Sequence, residues 1–537
     1  MSANTPANSE PPAQPRPRRH RLRRFVTGAL SGLLAAAAAL GVAEFIAAFI
    51  GPQSSPVIAI GAAFIEATPT SLEQFAIRTF GSNDKLVLLI GIFTVLGLLA
   101  VAMGLLARRV LALGMAGVIL LGVVGAAAAM TRPTASPLDA VPSLVGALAG
   151  SITLMLLIRA ARSVEASIDA ELSGDVSFSR AILAHRRFLL LSLGSAALTA
   201  VAGTAGRVLL GSRFNAEDSR QGVRLPKPDS PAPSVPAGAD LEVPGLVPFF
   251  TPNPVFYKVD TTLVTPQLPA AEWSLRVHGM VGRELRLSYE DLLARPILER
   301  DITLACVSNE VGGNLVGNAR WLGISLADLL REVGVDPKAD QIVSRSTDGW
   351  TCGTPTQVVM DGRDALLAIG MNGEPLPLDH GFPVRMVVPG LYGYVSACKW
   401  LVDLRLTRFA DFDSYWVERG WAEQAPIKTA SRIDTPRSFA KLSSGTVPIA
   451  GVAYAQHRGI DRVEVSIDDG EWQQARLAAE DSIETWRQWV YPWDATPGDH
   501  RIEVRATDGT GDTQSQERVT PFPSGATGQH SVAVTVT

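Results

Sequence analysis

One cysteine sits where a cofactor could be met. In ITLACVSNEVGG, Ile302 and Leu304 share one face of a strand pattern, and Cys306 ends the run. A loop with Ser308, Asn309, Gly312 and Gly313 follows. A thiolate at a strand end beside a glycine-rich loop can approach a bound group closely, and soft thiolates suit soft metals. The plain alternative is a buried cysteine acting as a small hydrophobe. Further on, MNGEPLPLDHGFPVRMVVPGLYGYVSACKWL holds His380, Arg385 and Lys399 in an otherwise apolar stretch. An arginine fork, a lysine point charge and a histidine donor together suit an anionic phosphate. Charges on a solvated loop are the alternative, which the apolar, glycine-rich flanks disfavour.

The other cysteines are Cys352 and Cys398, three in all, and none has C-x-x-C spacing. A disulfide framework and a zinc ribbon are both disfavoured. The seven histidines are scattered.

These residues need elements to hold them. Residues 249–410 mix strands and short helices: Leu275 and Val277 alternate, as do Leu285 and Leu287. Ser288 before Asp291 and Ser325 before Asp328 are helix starts, and Gly334 closes the second helix. The segment 249–412 is therefore expected to be α+β. From 424 to 537 the pattern is all-β. Val463, Val465 and Ile467 alternate into Asp469-Gly470, and Ile502, Val504 and Ala506 into Asp508-Gly509. A β-sandwich is the natural solution. Residues 213–248, rich in Pro, Asp, Ser and Gly, are expected to be an extended tether.

The first 212 residues differ. The chain has 537 residues, 48 basic and 52 acidic, and only 19% charged. Soluble chains are about 25% charged, so part of this one belongs in lipid. Apolar runs cover 25–50, 85–106, 110–130, 141–158 and 188–210, each long enough to cross ~30 Å of hydrocarbon. A basic, disordered N-terminus is expected over 1–24. Its arginines, Arg108 with Arg109, and the basic loop ending at Arg187 fall on one side if the spans alternate. That side is the cytoplasm, so everything after 213 faces outward, from a multi-pass anchor in the cell membrane. Buried core helices are the alternative. No span contains histidine, which excludes haem held by facing imidazoles. Glu44 is an acid near the outer end of the first span, expected to be solvated. Arg186 and Arg187 before FLLLSLGSAALTA resemble a twin-arginine signal lacking one residue, or else a simple basic anchor. Near-neutral net charge, −4, leaves no nucleic-acid footprint.

The runs CVSNEVGGNLVGNARWLGISLADLL, MNGEPLPLDHGFPVRMVVPG and CKWL, in that order, resemble the sulfite oxidase family of molybdenum enzymes. GIDRVEVSIDDGEWQQARL, TWRQWVYPWD and GDHRIEVRATDGTGDTQ resemble that family's immunoglobulin-like dimerisation domain. The resemblance spans 249–537. It implies a molybdenum–molybdopterin cofactor with Cys306 as the protein's thiolate ligand. It also implies cofactor contacts from Asn253, Phe256, Tyr257, Thr347, Asp348, His380, Arg385, Ala397, Cys398 and Lys399. Two-electron oxygen-atom transfer on a small molecule is the implied reaction, and a homodimer the implied assembly. Two positions depart from the family. An arginine that helps bind the anion is replaced by Pro252, and a catalytic tyrosine by Cys352. A phenol and a thiol are not equivalent donors, so sulfite itself is disfavoured. Cys352 and Cys398 could flank metal and substrate, pair as a disulfide, or pack in the core. No C-x-x-C-H motif is present, so electrons pass to or from a separate cytochrome or quinone-linked partner. Two other readings stay open: a sulfoxide reductase fed by a membrane donor, and a cofactor-free binding module.

Overall fold

The structure, a computed structural model, describes residues 17–69, 72, 84–132, 134–172 and 178–537. It comprises two compact units, 1–214 and 215–537.

The first unit is helical: α1 (Pro17–Ile50), α2 (Pro56–Ala67), α3 (Asp84–Arg109), α4 (Leu111–Met130), α5 (Val141–Leu172) and α6 (Phe178–Arg213). Among the described residues, five stretches are long and apolar enough to cross a membrane. Residues 17–24 belong to α1, so the expected disordered N-terminus is corrected there; residues 1–16 lie outside the described set. The short apolar helix α2 was not expected. Small residues let α1 approach its neighbours. A Cβ on Gly104 would lie 2.1 Å from the Gly28 carbonyl oxygen, and one on Gly146 only 2.5 Å from that of Ala39. Such backbone-close crossings give lipid-embedded helices their packing energy. Ionic contacts tie the helix ends. Glu165 pairs with Arg108 and Arg24, and Arg162 donates to the last carbonyls of α3, at 2.9 and 3.0 Å. Glu44 accepts a hydrogen bond from Ser55 rather than standing as an isolated solvated acid.

The second unit begins with the segment expected to be a tether, and that expectation fails. Glu217–Gly222 is a helix. Arg220 donates to the Pro375 and Leu376 carbonyls and pairs with Glu374 at 2.8 Å. The Asp229 and Ser230 amides donate to the Ile297 carbonyl, and the Leu241 amide to Gln488. Proline removes backbone donors, but side chains and the remaining amides supply enough bonds to lay the strap down.

Two sheets form the α+β part. One has the order β2-β1-β10-β5-β6: β1 (Ser274–Gly279), β2 (Leu285–Ser288), β5 (Gln341–Ser346), β6 (Thr351–Pro355) and β10 (Leu401–Thr407). Only β1 and β10 run parallel within it. The other has the order β3-β4-β7-β8: β3 (Ile297–Ala305), β4 (Val316–Ser325), β7 (Leu366–Met371) and β8 (Glu374–Pro375), with β9 (Arg385–Val387) also pairing β7. Leu275 and Val277 are fully buried while their neighbours face outward, as alternation requires. Ser288 and Asp291 form a reciprocal capping box, Ser325 caps the helix Leu326–Val333, and Gly334 ends it at φ 66°.

The β-rich C-terminal region has two further sheets. One comprises Ala430–Thr435, Gly445–Tyr454, Arg487–Ala495 and Arg476–Leu477. The other comprises Lys441–Leu442, His530–Val536, Gly498–Asp508, Ile460–Ile467 and Gln473–Gln474. Their apolar faces share one core through Ile449, Val463, Val465, Trp489 and Val504. Val452, Tyr454 and Trp486, however, belong to the core of the α+β part. Strand β3 shows the consequence. Thr303 alternates with Ile302 and Leu304 yet is equally buried. Its amide donates to the Glu484 carbonyl, its carbonyl accepts from Gln456, and its hydroxyl accepts from the Trp486 amide at 2.7 Å.

His530 gives this junction a pH dependence. Its Nδ1 accepts from the Ile433 amide at 3.0 Å, so the ring is neutral there. Burial, and then the charges of Arg432 and Arg518, push its pKa down to about 4. The unfolded chain, with a histidine pKa of about 6.5, takes the proton first. This contribution is therefore complete above pH 6.5 and is lost as the pH falls from there towards 4. At pH 5 the loss is on the order of 2 kcal/mol. Thermal melts of the full chain in detergent should show it between pH 7 and 5, with a flatter profile for His530→Asn, which retains an acceptor. Parallel profiles for both proteins would refute it.

Candidate functional site

Cys306 follows β3, and its loop folds back on itself. The Cys306 amide donates to the Leu315 carbonyl at 2.9 Å, and the Asn309 amide donates to the Cys306 carbonyl at 3.1 Å. The thiol is 8% exposed. Burial pushes its pKa up, while hydrogen bonds from the Ser308 amide and hydroxyl pull it back. A metal would override that burial, because a coordinating thiol loses its proton outright.

Arg385, on β9, is 5% exposed. Nη1 donates to the His380 carbonyl at 3.1 Å and Nη2 to the Ala397 carbonyl at 3.5 Å. The guanidinium lies 5.0 Å from the centre of the Trp321 ring, which is anchored by its indole N–H on the Ile302 carbonyl. Its Nε is buried without a partner, and among the described residues no carboxylate pairs with it. Burial lowers its pKa to about 10. A buried cation without a counter-charge is costly, and an anionic ligand would relieve it.

His380 ends a short turn before the left-handed Gly381, at φ 107°. Burial, then the Arg385 charge, push its pKa down to about 4. Neutral at ordinary pH, its Nε2 donates to the Asn253 carbonyl at 3.0 Å, and its ring meets Phe256 edge-on. The Asn253 side chain is already committed, to the Met371 carbonyl, Glu374 and Asn372. Asn253 thus orients His380 instead of presenting its own amide.

Phe256 stacks on Tyr257 with ring centres 5.2 Å apart. Burial, and then the neighbouring Cys306, push the Tyr257 phenol well above its ordinary range, with Arg385 acting against them. Cys306, Tyr257 and Arg385 are therefore brought together. Lys399 pairs with Asp260 at 2.8 Å, donates to the Asp379 carbonyl and covers the Trp400 ring at 4.5 Å. Its charge is compensated within the protein, against the expectation of an anchor reserved for phosphate. Thr347 donates its amide to the Trp400 carbonyl, and Asp348 accepts from the Trp350 amide.

Cys352 and Cys398 are free thiols, both fully buried, so the disulfide alternative is not realised. Burial pushes the Cys352 thiol up to about 12, and its hydrogen-bond neighbours are Thr354, Ser344 and the Ala397 amide. It packs in the core, one of the readings the sequence left open for it. Thr347 also lines an open cleft of 430 Å³ with Arg276, Arg286, Arg345 and Asp403. Cys306, His380 and Arg385 do not line it. Sequence reasoning missed Tyr392 and Tyr454: both are buried, and the Tyr454 hydroxyl accepts from Asn309 of the Cys306 loop at 2.9 Å. No spacing signals either one, since each reaches the site only by tertiary packing.

These residues fit a molybdenum–molybdopterin group: a buried Cys306 thiol that a metal would deprotonate, and a buried Arg385 guanidinium with no carboxylate partner among the described residues.

The family model "Oxidoreductase molybdopterin binding domain" matches residues 262–416. Mitochondrial sulfite oxidase of Mus musculus is 33% identical over 291 residues, 45% of this chain and 52% of the relative. An uncharacterized oxidoreductase, YuiH, of Bacillus subtilis is 34% identical over 150 residues, 28% of this chain and 72% of the relative. The sulfane dehydrogenase SoxCD of Paracoccus pantotrophus aligns structurally with a TM-score of 0.45 and 24% identity, over 50% of this chain and 75% of that one. The chain spans about half the length of the mitochondrial relative it matches.

Proposed function

The chain belongs to the molybdopterin-binding oxidoreductases of the sulfite oxidase family, and on that premise we propose that it carries out two-electron oxygen-atom transfer on a small substrate outside the cytoplasm. The cofactor is molybdenum–molybdopterin, which when bound supplies the redox chemistry and the exchangeable oxygen. The chain's own residues hold and orient it. The Cys306 thiolate is the single protein ligand to the metal. Arg385 neutralises an anionic group of the pterin. His380, kept neutral, spends its one N–H on the Asn253 carbonyl and holds the Asn253 segment beside Arg385. Phe256, Trp321 and Tyr257 exclude water from this side. The carrying observation is Arg385: a buried guanidinium with an orphaned Nε, beside Tyr257, which also neighbours the buried Cys306.

Five apolar helices support membrane association. We read them as an anchor with its basic loops in the cytoplasm and the enzyme unit outside. Electrons then pass through a separate cytochrome or quinone-linked partner. The two-sheet C-terminal region is read as the immunoglobulin-like domain, supporting a homodimer. Pro252 and the packed Cys352 favour an uncharged oxide over sulfite, because the anion's arginine and the phenol donor are both replaced. Reduction of a sulfoxide is therefore the second reading.

The test is molybdenum per chain in membrane-purified protein, then dye-coupled assays with sulfite and with methionine sulfoxide. Near one molybdenum per chain, with turnover of either substrate, is the expected result. Metal-free protein from a host that makes the cofactor would overturn the assignment.

A further inference from the structure

The loop that carries Cys306 is held from outside its own domain. Asn309 is its keystone. Its Oδ1 accepts from the Leu315 amide at 2.9 Å, and its backbone amide donates to the Cys306 carbonyl at 3.1 Å. One residue thus joins Cys306, through its backbone amide, to Leu315, through its side chain. The amide nitrogen remains, and it donates to the Tyr454 hydroxyl at 2.9 Å. Asn309 is 9% exposed, so this nitrogen has no ready water to turn to. An amide turned over would set its NH₂ against the Leu315 N–H. The Leu315 bond therefore fixes the sense of the amide and aims its nitrogen at the Tyr454 hydroxyl.

Tyr454 is itself immobile. It ends the strand Gly445–Tyr454, pairs in register with Ala430, and is 5% exposed within the α+β core. Two other residues of the C-terminal region brace the same loop. Arg432, paired with Asp434, donates to the Gly313 carbonyl at 2.7 Å. The His530 ring lies against Gly312, where a Cβ would come within 2.3 Å of it. Gly312 adopts φ +77°, so glycine is required there on both counts.

We infer that Tyr454 is a positioning residue for the Cys306 thiol, acting through Asn309, and that the C-terminal region completes the active site. The functional consequence rests on Cys306 being the metal's thiolate; the geometry of the loop does not. A ligand must be held within about 0.5 Å of its working position, and supporting hydrogen bonds do that holding. Loss of such a partner typically costs 10- to 100-fold in metal affinity or activity.

The decisive variant is Tyr454→Phe, which keeps the ring and removes the acceptor. In the purified full chain, hydrogen–deuterium exchange of peptides covering 306–315 should accelerate at least about fivefold, with peptides of β5 and β6 unchanged. The Mo(V) paramagnetic resonance signal should shift or broaden while molybdenum per chain stays within about twofold of wild type. Turnover should fall roughly tenfold or more with KM little changed. Asn309→Ala removes the side-chain bonds to both Leu315 and Tyr454. It should do at least as much, and adding Tyr454→Phe to it should change nothing further. Unchanged exchange in Tyr454→Phe would overturn the inference, as would additive effects in the double variant. Should Tyr454→Phe fail to fold, Tyr454→Leu carries the exchange arm. A wild type without molybdenum would sink the proposed function instead, and the exchange arms would still decide the role of Tyr454.

Discussion

Cys306→Ser is expected to lower turnover by more than about 100-fold and to change the Mo(V) signal, while the protein stays folded. The lower bound follows from chemistry of the ligand. Removing an outer partner of a metal ligand costs up to about 100-fold, and here the ligand itself is replaced. A serine hydroxyl is a hard donor that stays protonated near neutrality, whereas the soft thiolate suits the soft metal and binds it deprotonated. The folding cost is smaller. The Cys306 side chain packs at 8% exposure, and its recorded hydrogen bonds come from Ser308, which a hydroxyl can also accept. A loss of about 1–2 kcal/mol is the scale for burying a hydroxyl with partial compensation. Elemental mass spectrometry, paramagnetic resonance and a dye-coupled assay on one preparation separate ligand loss from unfolding. Turnover within threefold of wild type would remove Cys306 from the metal.

The contrast between Cys306 and its support shows where sequence reading stops. Local chemistry was legible. The alternation of Leu275 and Val277, the cap pair Ser288 and Asp291 and the left-handed Gly334 each depend on residues within a few positions. So did the placement of Cys306 at a strand end. What failed depended on partners far along the chain. Thr303 looked like the polar half of an alternating strand, but the C-terminal region covers that face and spends every polar group of the residue. Residues 215–248 have the composition of a tether, yet Arg220 finds the Pro375 carbonyl 155 positions away. Lys399 looked like a free cation in an apolar run, and Asp260, 139 positions before it, compensates it. Composition and period report on a segment's own preferences; they carry nothing about which distant group arrives to satisfy it.

Arg385→Met is expected to separate cofactor retention from protein stability, with the two changing by very different amounts. If Arg385 exists to meet an anion, methionine should cut molybdenum per chain more than tenfold. The fold should move by no more than about 2 kcal/mol, because opposing terms act on it. The variant frees the His380 and Ala397 carbonyls, and each unsatisfied buried group costs about 1–3 kcal/mol. Against this, it removes a buried guanidinium with no carboxylate partner, and replacing buried charge by apolar groups of similar volume is often neutral or stabilising by 1–4 kcal/mol. Methionine's flexible thioether also keeps a contact over Trp321. Arg385→Lys should fall between the two, retaining charge without the fork. A structural arginine would behave in the opposite way: the variant would unfold readily, while any folded fraction kept its metal. Calorimetry alongside metal analysis therefore reads the role of Arg385 directly, because an arginine that serves a ligand leaves its mark on the ligand and one that serves the fold leaves it on the melt.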